Sequence, residues 1–377
     1  MVDALRRPAS ASQAEVRALL ILDQLPGVGP RRIRALVDTF GSAERALAQP
    51  ERLFGQIAGS AAARVRSAAE HSERVDAGLI EAERLGMVTR SWSDAEYPEA
   101  LMRLADPPPV LFLRGRPELL DRAGVAVVGA RRCTGRAKDL ARKLGRCLAH
   151  AGVDVVSGMA LGVDAAAHDG ALEGRGGTVA VVGRGADAPY PPSHAGLFRR
   201  ILEHGLVVSE FLPGTPPLAY HFPRRNRIMA ALARTVVVVE AGERSGALIT
   251  VEHALDLGRD IWAVPGPIDT PTCEGSNQLL AEGALPLVSL SRFVTDVAEG
   301  RDRRNDPERV AADGSAEGRP LADPERRILR SLDEGPLHAD QLAARAGLDV
   351  PVALALLVQL ELDGMVEQMP GFLFRAA

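Results

Sequence analysis

Six short apolar runs between residues 124 and 266 constrain the fold more than any other feature of this chain: GVAVVGA, GVDVVSG, GTVAVVG, LVVSE, TVVVVEAG and IWAVPG. Strands with one face in water alternate apolar and polar residues; these barely alternate, as expected of strands covered on both faces. The stretches between them carry helical periodicity and are long enough for crossover connections. The pattern predicts an α/β domain whose largely parallel sheet is flanked by helices.

A chain of 377 residues exceeds one ordinary domain. Residues 1–12 read as a loose tail. Residues 13–92 show helical periodicity and no strand signal. Within them LPGVGPRRIRALVDTFGS places a tight Gly-Val-Gly turn between two apolar helices. That is a helix-hairpin-helix pattern, whose backbone N–H groups can hold a phosphate, and equally the pattern of a plain short turn. The α/β domain takes residues 97–298. Residues 299–320 lack any apolar period and are rich in charge, Gly and Pro, as a linker is. Residues 321–377 give three short helices and a hairpin around Pro370-Gly371, a winged-helix layout.

Composition narrows the function. The formal net charge is −4, so any nucleic-acid contact requires local cations. Cys133, Cys147 and Cys273 are far apart, which fits neither a disulfide framework nor a zinc site and suits a reducing cytoplasm. No leader and no membrane-spanning run is evident. The first apolar run is followed by VGARRCTG, not a dinucleotide fingerprint; a nucleophile elbow and a Walker lysine are also absent. Asp164 and His168 share a helix face, but no further ligands accompany them, so a cap and a packed helix residue are expected there and no metal. No catalytic residue and no cofactor is implied.

Glycine and small polar residues follow each run: Gly129-Ala130-Arg131, Ser157-Gly158, Gly183-Arg184-Gly185, Ser209-Glu210, Glu240 with Ser245-Gly246, and Pro265-Gly266. In an open α/β sheet these carboxyl-terminal ends line one crevice, where ligands bind. Singly each glycine is an ordinary turn; together they describe a phosphate-binding rim. In HFPRRNRIMAALA, Arg224, Arg225 and Arg227 crowd around Asn226 at the start of the helix leading into TVVVV. They are expected at or beside the rim, with Arg131 on it. Guanidinium groups match phosphate oxygens bidentately, and a cluster along a crevice suits a polyanion. The competing reading pairs some of these arginines with acids such as Glu210 and Glu240. For Asn226 a backbone hydrogen bond competes with a ligand contact. In the winged helix the third helix carries Asp349, Glu361 and Asp363 and no Lys or Arg, so it is expected to contact protein rather than duplex DNA.

The segments SGMALGVDAAAHDGAL, YPPSHAGLFRRI, SEFLPGTPP, FPRRNRIMAALA, VVVVEAGERSGALIT and VPGPIDTPTCEGSNQLLAEGA, in this order and spacing, closely resemble the DNA-processing protein A (DprA/Smf) family. The resemblance implies an extended Rossmann-like domain that binds single-stranded DNA without being a nucleotide-dependent enzyme. It also implies a homodimer that recruits RecA recombinase onto incoming strands in natural transformation. The N-terminal helices resemble the family's sterile-alpha-motif-like domain, more loosely, and the C-terminal module its winged helix. The family's Gly-Ser-Arg motif falls on Gly129, Ala130 and Arg131, where Ala130 supplies no hydroxyl. Its Ser-Gly-Leu-Ala motif falls on Ser157, Gly158, Met159 and Ala160, its Arg-Asn-Arg motif on Arg225, Asn226 and Arg227. Its Ser-Gly-x-Leu-Ile-Thr motif falls on Ser245, Gly246, Leu248, Ile249 and Thr250.

The leading expectation is a recombination mediator that binds single-stranded DNA, with Phe222 or Tyr190 available to stack a base. An enzymatic alternative is a nucleotide phosphoribohydrolase using Glu240 or Asp164, although that group's Pro-Gly-Gly-x-Gly-Thr loop is missing. A scaffold with a relic pocket is the third possibility.

Overall fold

The computed structural model describes residues 10–65, 69–174, 176–300, 323–332, 335–362, 365–369 and 373–376. The chain divides into two compact units, 1–301 and 302–377.

The first unit opens with six helices: α1 (Gln13–Gln24), α2 (Pro30–Phe40), α3 (Ala43–Leu47), α4 (Glu51–Ala58), α5 (Ser60–Val65) and α6 (Ala69–Arg84). Residues 1–9 of the expected tail lie outside the described residues. Ser12 is anchored: its side chain accepts from Glu15 N and caps α1. The expected tight turn joins α1 to α2, with Gly27 at φ +69° and Pro30 opening α2.

The sheet follows. Its strands are β1 (Val88–Ser91), β2 (Val110–Gly115), β3 (Gly124–Val128), β4 (Val155–Ser157), β5 (Thr178–Val181), β6 (Leu206–Ser209), β7 (Ala233–Val238), β8 (Asp260–Ala263) and β9 (Leu285–Pro286). Between and after them run α7 (Glu99–Met102), α8 (Gly135–His150), α9 (Val163–Ala171), α10 (Ala195–His204), α11 (His221–Leu232), α12 (Ala247–Asp256), α13 (Glu274–Ala281) and α14 (Leu290–Ala298). The strand order is β1-β2-β6-β5-β4-β3-β7-β8-β9. The six runs singled out in the sequence are the contiguous parallel strands β6-β5-β4-β3-β7-β8.

Their lack of alternation has the expected cause. Val125 and Val127 of β3 pack on one side with Ala141 and Leu144 of α8 and Val163 of α9. Ala126 and Val128 pack on the other with Ile228 and Met229 of α11 and Val251 of α12. Each valine so buried stabilises the fold by about 1.5–3 kcal/mol before chain entropy is counted. Helices α8 and α9 come together closely: a Cβ on Gly145 or Gly170 would overlap the other helix's backbone.

The sheet extends past the six runs at its other edge. β2 pairs antiparallel with β6, and β1 antiparallel with β2. β1 falls within the stretch that reads as helical throughout. Its sequence, VTRS, buries only Ser91 fully, so it carries no apolar run to betray it. The N-terminal helices pack into the same hydrophobic core as the sheet rather than forming a separate unit.

The expected linker, 299–320, falls outside the described residues apart from Glu299 and Gly300. The second unit holds α15 (Asp323–Leu332), β10 (Leu337–His338), α16 (Ala339–Ala346), α17 (Val350–Leu362), β11 (Val366–Met369) and β12 (Leu373–Ala376). β12 pairs with both β10 and β11, the layout of a winged helix; the turn at Pro370-Gly371 lies outside the described residues.

Candidate nucleic-acid interface

From β3 the chain winds one way through β4, β5 and β6, then returns to place β7 and β8 on the other side. The strand order therefore reverses between β3 and β7, and the crevice at their carboxyl ends is the favoured ligand position in such a sheet. A cleft of about 620 Å³ lies there.

Its first wall is the loop after β3. Gly129 sits so close to Val163 and the Glu240 carbonyl that a Cβ would clash with both. Ala130 N donates to Glu240 O at 2.6 Å. Thr134 caps α8, accepting from Ala137 N, and donates its hydroxyl to Glu240 Oε2 at 2.7 Å, while Thr134 N donates to Oε1 at 3.1 Å. Glu240 thus spends its carboxylate on holding this loop. Arg131 and Arg132 project from it, exposed, with no acidic partner among the described residues. The Arg131 guanidinium lies 5.2 Å over the Phe222 ring, which in turn sits 5.5 Å from Tyr190.

The second wall is the N-terminus of α12, preceded by Arg244, Ser245 and Gly246. Gly246 at the N-cap has no side chain to cap that end; Ser245 Oγ accepts from Ala247 N at 3.3 Å, and the positive dipole end faces the cleft, where it favours an anion. Thr250, one turn in, is buried, and its hydroxyl has no partner.

The arginine cluster divides by helical phase. Arg224 and Arg227, three apart on α11, face Glu210. Arg227 is 2% exposed and donates Nη1 and Nη2 to the two Glu210 oxygens at 2.8 Å each. Arg224 reaches Glu210 at 2.9 Å and Asp23 of α1 at 3.5 Å. Both lie behind the cleft wall, against the expectation that they line the rim. Arg225 shares the opposite face with Met229 and does line the cleft. Its guanidinium is nevertheless engaged, donating to Gly158 O at 2.7 Å and to Val181 O. Burial lowers its pKa to about 10, the Asp164 carboxylate opposing the shift and Arg131 adding to it. Asn226 donates to Gly246 O at 3.1 Å and accepts from Arg225 Nε, fixing the start of α12.

Of the other sequence candidates, Gly129, Ala130, Arg131, Ser245, Gly246 and Thr250 line the cleft. Ser157 does not: it is fully buried and donates to Val127 O at 2.7 Å. Gly158 also lies behind the wall, making room for Arg225. The sequence reading missed Arg132 and Arg244, although each stands beside a residue that it named. Asp164 belongs to the cleft as well. Its Oδ2 accepts from Gly158 N at 3.2 Å and Ala160 N at 3.3 Å, holding the loop before α9 rather than capping that helix. Burial raises its pKa, and Arg225 opposes the shift. His168 is buried as expected, with Nδ1 2.6 Å from Thr178 Oγ1.

Among the described residues no cluster of His, Cys, Asp and Glu could hold a metal, and no helix is long and apolar enough to cross a membrane. At the turn between α1 and α2, Arg32 folds back onto Gly27 O at 2.7 Å, closing the turn on itself. The cleft therefore offers three exposed guanidinium groups, a helix N-terminus and an aromatic ring, a set suited to phosphates joined to bases.

Comparison with known proteins agrees with this chemistry. Residues 88–298 match the family described as DNA recombination-mediator protein A, and residues 312–371 match the DprA winged helix domain. Protein Smf of Synechocystis is 32% identical over 94% of this chain and 97% of its own length. Protein Smf of Escherichia coli is 38% identical over 74% of this chain and 75% of its own. The X-ray structure of DNA processing protein A from Streptococcus pneumoniae superposes with a TM-score of 0.65 at 33% identity, covering 76% of this chain and 98% of that one. The Helicobacter pylori protein, whose structure was described for its single-stranded DNA binding mode, gives a TM-score of 0.53 at 30% identity over 57% of this chain and 96% of its own. With its switch-point cleft, its winged helix and these relatives, the chain belongs to the DNA recombination-mediator protein A family.

Proposed function

We propose that the protein binds single-stranded DNA in the cleft between the ends of β3 and β7. There it would act as a recombination mediator, protecting incoming strands and delivering them to RecA recombinase during natural transformation. The observation that carries the reading is the pair Arg131 and Arg132. Both are exposed and without acidic partners among the described residues, with Arg131 over Phe222, in a chain of net negative charge. Phosphates would sit on Arg131, Arg132, Arg244 and the α12 N-terminus, and Phe222 would stack a base. Ala130 gives no hydroxyl, so that stretch of the rim works through backbone and Arg131. Family membership supports the RecA partnership, action as a homodimer and a cytoplasmic site. No cofactor is required by this chemistry.

The enzymatic alternative fits the geometry less well. Glu240 is consumed by Thr134, and Asp164 by two backbone N–H groups. We expect no base release from nucleoside monophosphates.

Titration with single- and double-stranded oligonucleotides of equal length across salt tests the proposal. Single strands should bind more tightly, with log affinity falling against log salt by about 0.7 per phosphate neutralised. Arg131→Ala should weaken binding by about 1.5–3 kcal/mol and Arg224→Ala by less, because Arg224 is held on Glu210. Equal or tighter duplex binding, or an Arg131→Ala variant that binds like the parent, would defeat the reading.

A further inference from the structure

We infer that a second groove, between α8, α9 and α10, carries the single strand onward from the cleft. The inference rests on the cleft being the primary DNA site. The groove has a volume of about 600 Å³ and is lined by Lys138, Leu161, Gly162, Asp169, Arg199 and Arg200 among others. It is separated from the cleft by one turn of chain. Ala160 and Asp164 line the cleft, whereas Leu161, Gly162 and Ala165 line the groove. Gly162, at φ +80°, lies against the Ala130 and Arg131 carbonyls, too close for any side chain. The backbone of the loop that carries Arg131 therefore touches the turn between the two cavities, and that turn carries Leu161, which is 47% exposed.

The charge of the groove matches a polyanion. The residues that line it include three cations, Lys138, Arg199 and Arg200, and two acids, Asp169 and Glu203; helix α8 beside it carries four more cations, Arg136, Arg142, Lys143 and Arg146, against Asp139. This local excess sits in a chain whose total charge is negative, so it is not a property of the surface at large. Of the two acids in the groove wall, Asp169 is matched by two arginines, Arg142 at 3.2 Å and Arg200 at 2.7 Å, and Glu203 lies 3.9 Å from His204. Lys138 and Arg199 are exposed and have no ion-pair partner among the described residues. A phosphodiester strand leaving the cleft over Arg132 would meet them next, and the exposed Leu161 gives the ridge an apolar surface over which a base can lie.

The test compares two oligonucleotide lengths: one of about 6 nucleotides, sized for the cleft, and one of about 20, long enough to continue into the groove. The variant is Lys138→Ala with Arg199→Ala, which breaks no ion pair; an unchanged thermal midpoint verifies that it folds. The variant should bind the short oligonucleotide like the parent and the long one about tenfold more weakly. Its salt slope on the long one should be shallower by about 1.4, two phosphates at about 0.7 each. Parental binding of the long oligonucleotide with an unchanged slope overturns the inference and leaves the groove to another partner, such as an acidic protein surface. Equal weakening on both lengths also overturns it, since the cations would then act only as a general field on the cleft. Failure of the cleft itself reads differently, because Arg131→Ala would then leave binding of both lengths untouched.

Discussion

Gly158 and Arg225 occupy one space: the guanidinium lies where a Cβ on residue 158 would have to go, and donates to the Gly158 carbonyl at 2.7 Å. The absent side chain lets a buried cation brace the loop after β4 against the end of β5. Gly158→Ala should therefore unseat Arg225 and cost about 1–3 kcal/mol, read from the urea midpoint. A parental midpoint would show that the guanidinium has another place to go.

Arg227 and Glu210 form a bidentate pair with both side chains almost fully buried. Arg227→Ala leaves the Glu210 carboxylate in a dry site with only Arg224 to meet it, and should cost about 3–5 kcal/mol. The double variant Arg227→Met with Glu210→Leu should recover much of that loss, because no charge is then stranded. If the double variant is as unstable as the single one, the pair contributes packing rather than charge compensation.

Burial holds the His168 imidazole neutral, its pKa lowered to about 3 from an ordinary 6.5, with Arg225 and His194 adding to the shift. Between those values the unfolded chain takes up a proton that the native state refuses. Stability is therefore whole above about pH 6.5 and falls as the pH drops, with a slope approaching 1.4 kcal/mol per pH unit from this group. Urea midpoints at pH 7, 6 and 5 should decline, and His168→Gln should remove this component of the slope even where it lowers overall stability. An unaltered slope in the variant would assign the acid sensitivity elsewhere.

Residues 302–377 form a compact unit with its own core, and the third helix of that unit carries Asp349 and Glu361 at or near its ends and no Lys or Arg. Removing residues 321–377 should leave single-strand affinity within about threefold of the parent, well under the 1.4 kcal/mol that a tenfold change represents. A large loss from a truncation that keeps its circular dichroism would show that the wing touches DNA.

The arrangement of the central sheet was legible because burial on both faces writes itself directly into the strands: TVVVV needs no partner to be read as buried. The recurrence of glycine and small polar residues after each run marked one crevice for the same reason, since chain turns and ligand approach both demand small residues there. β1 stayed hidden because an edge strand half in water has no comparable pattern.

The arginines mark the limit. In RRNR the sequence concentrates three cations, and nothing local says which face of α11 meets which neighbour. That was set by the docking of α11 on the sheet, which turned Arg224 and Arg227 toward Glu210 and Arg225 toward Gly158. The cations left free at the cleft, Arg131, Arg132 and Arg244, lie in loops whose positions are fixed by contacts distant in sequence, such as the hold of Glu240 on Thr134. The sequence by itself determined the parallel core and the end of the sheet where a ligand binds, because both follow from local burial and turn chemistry. Only the tertiary structure decided which charges hold the fold and which remain for a partner, because an ion pair depends on what the rest of the chain brings within about 4 Å.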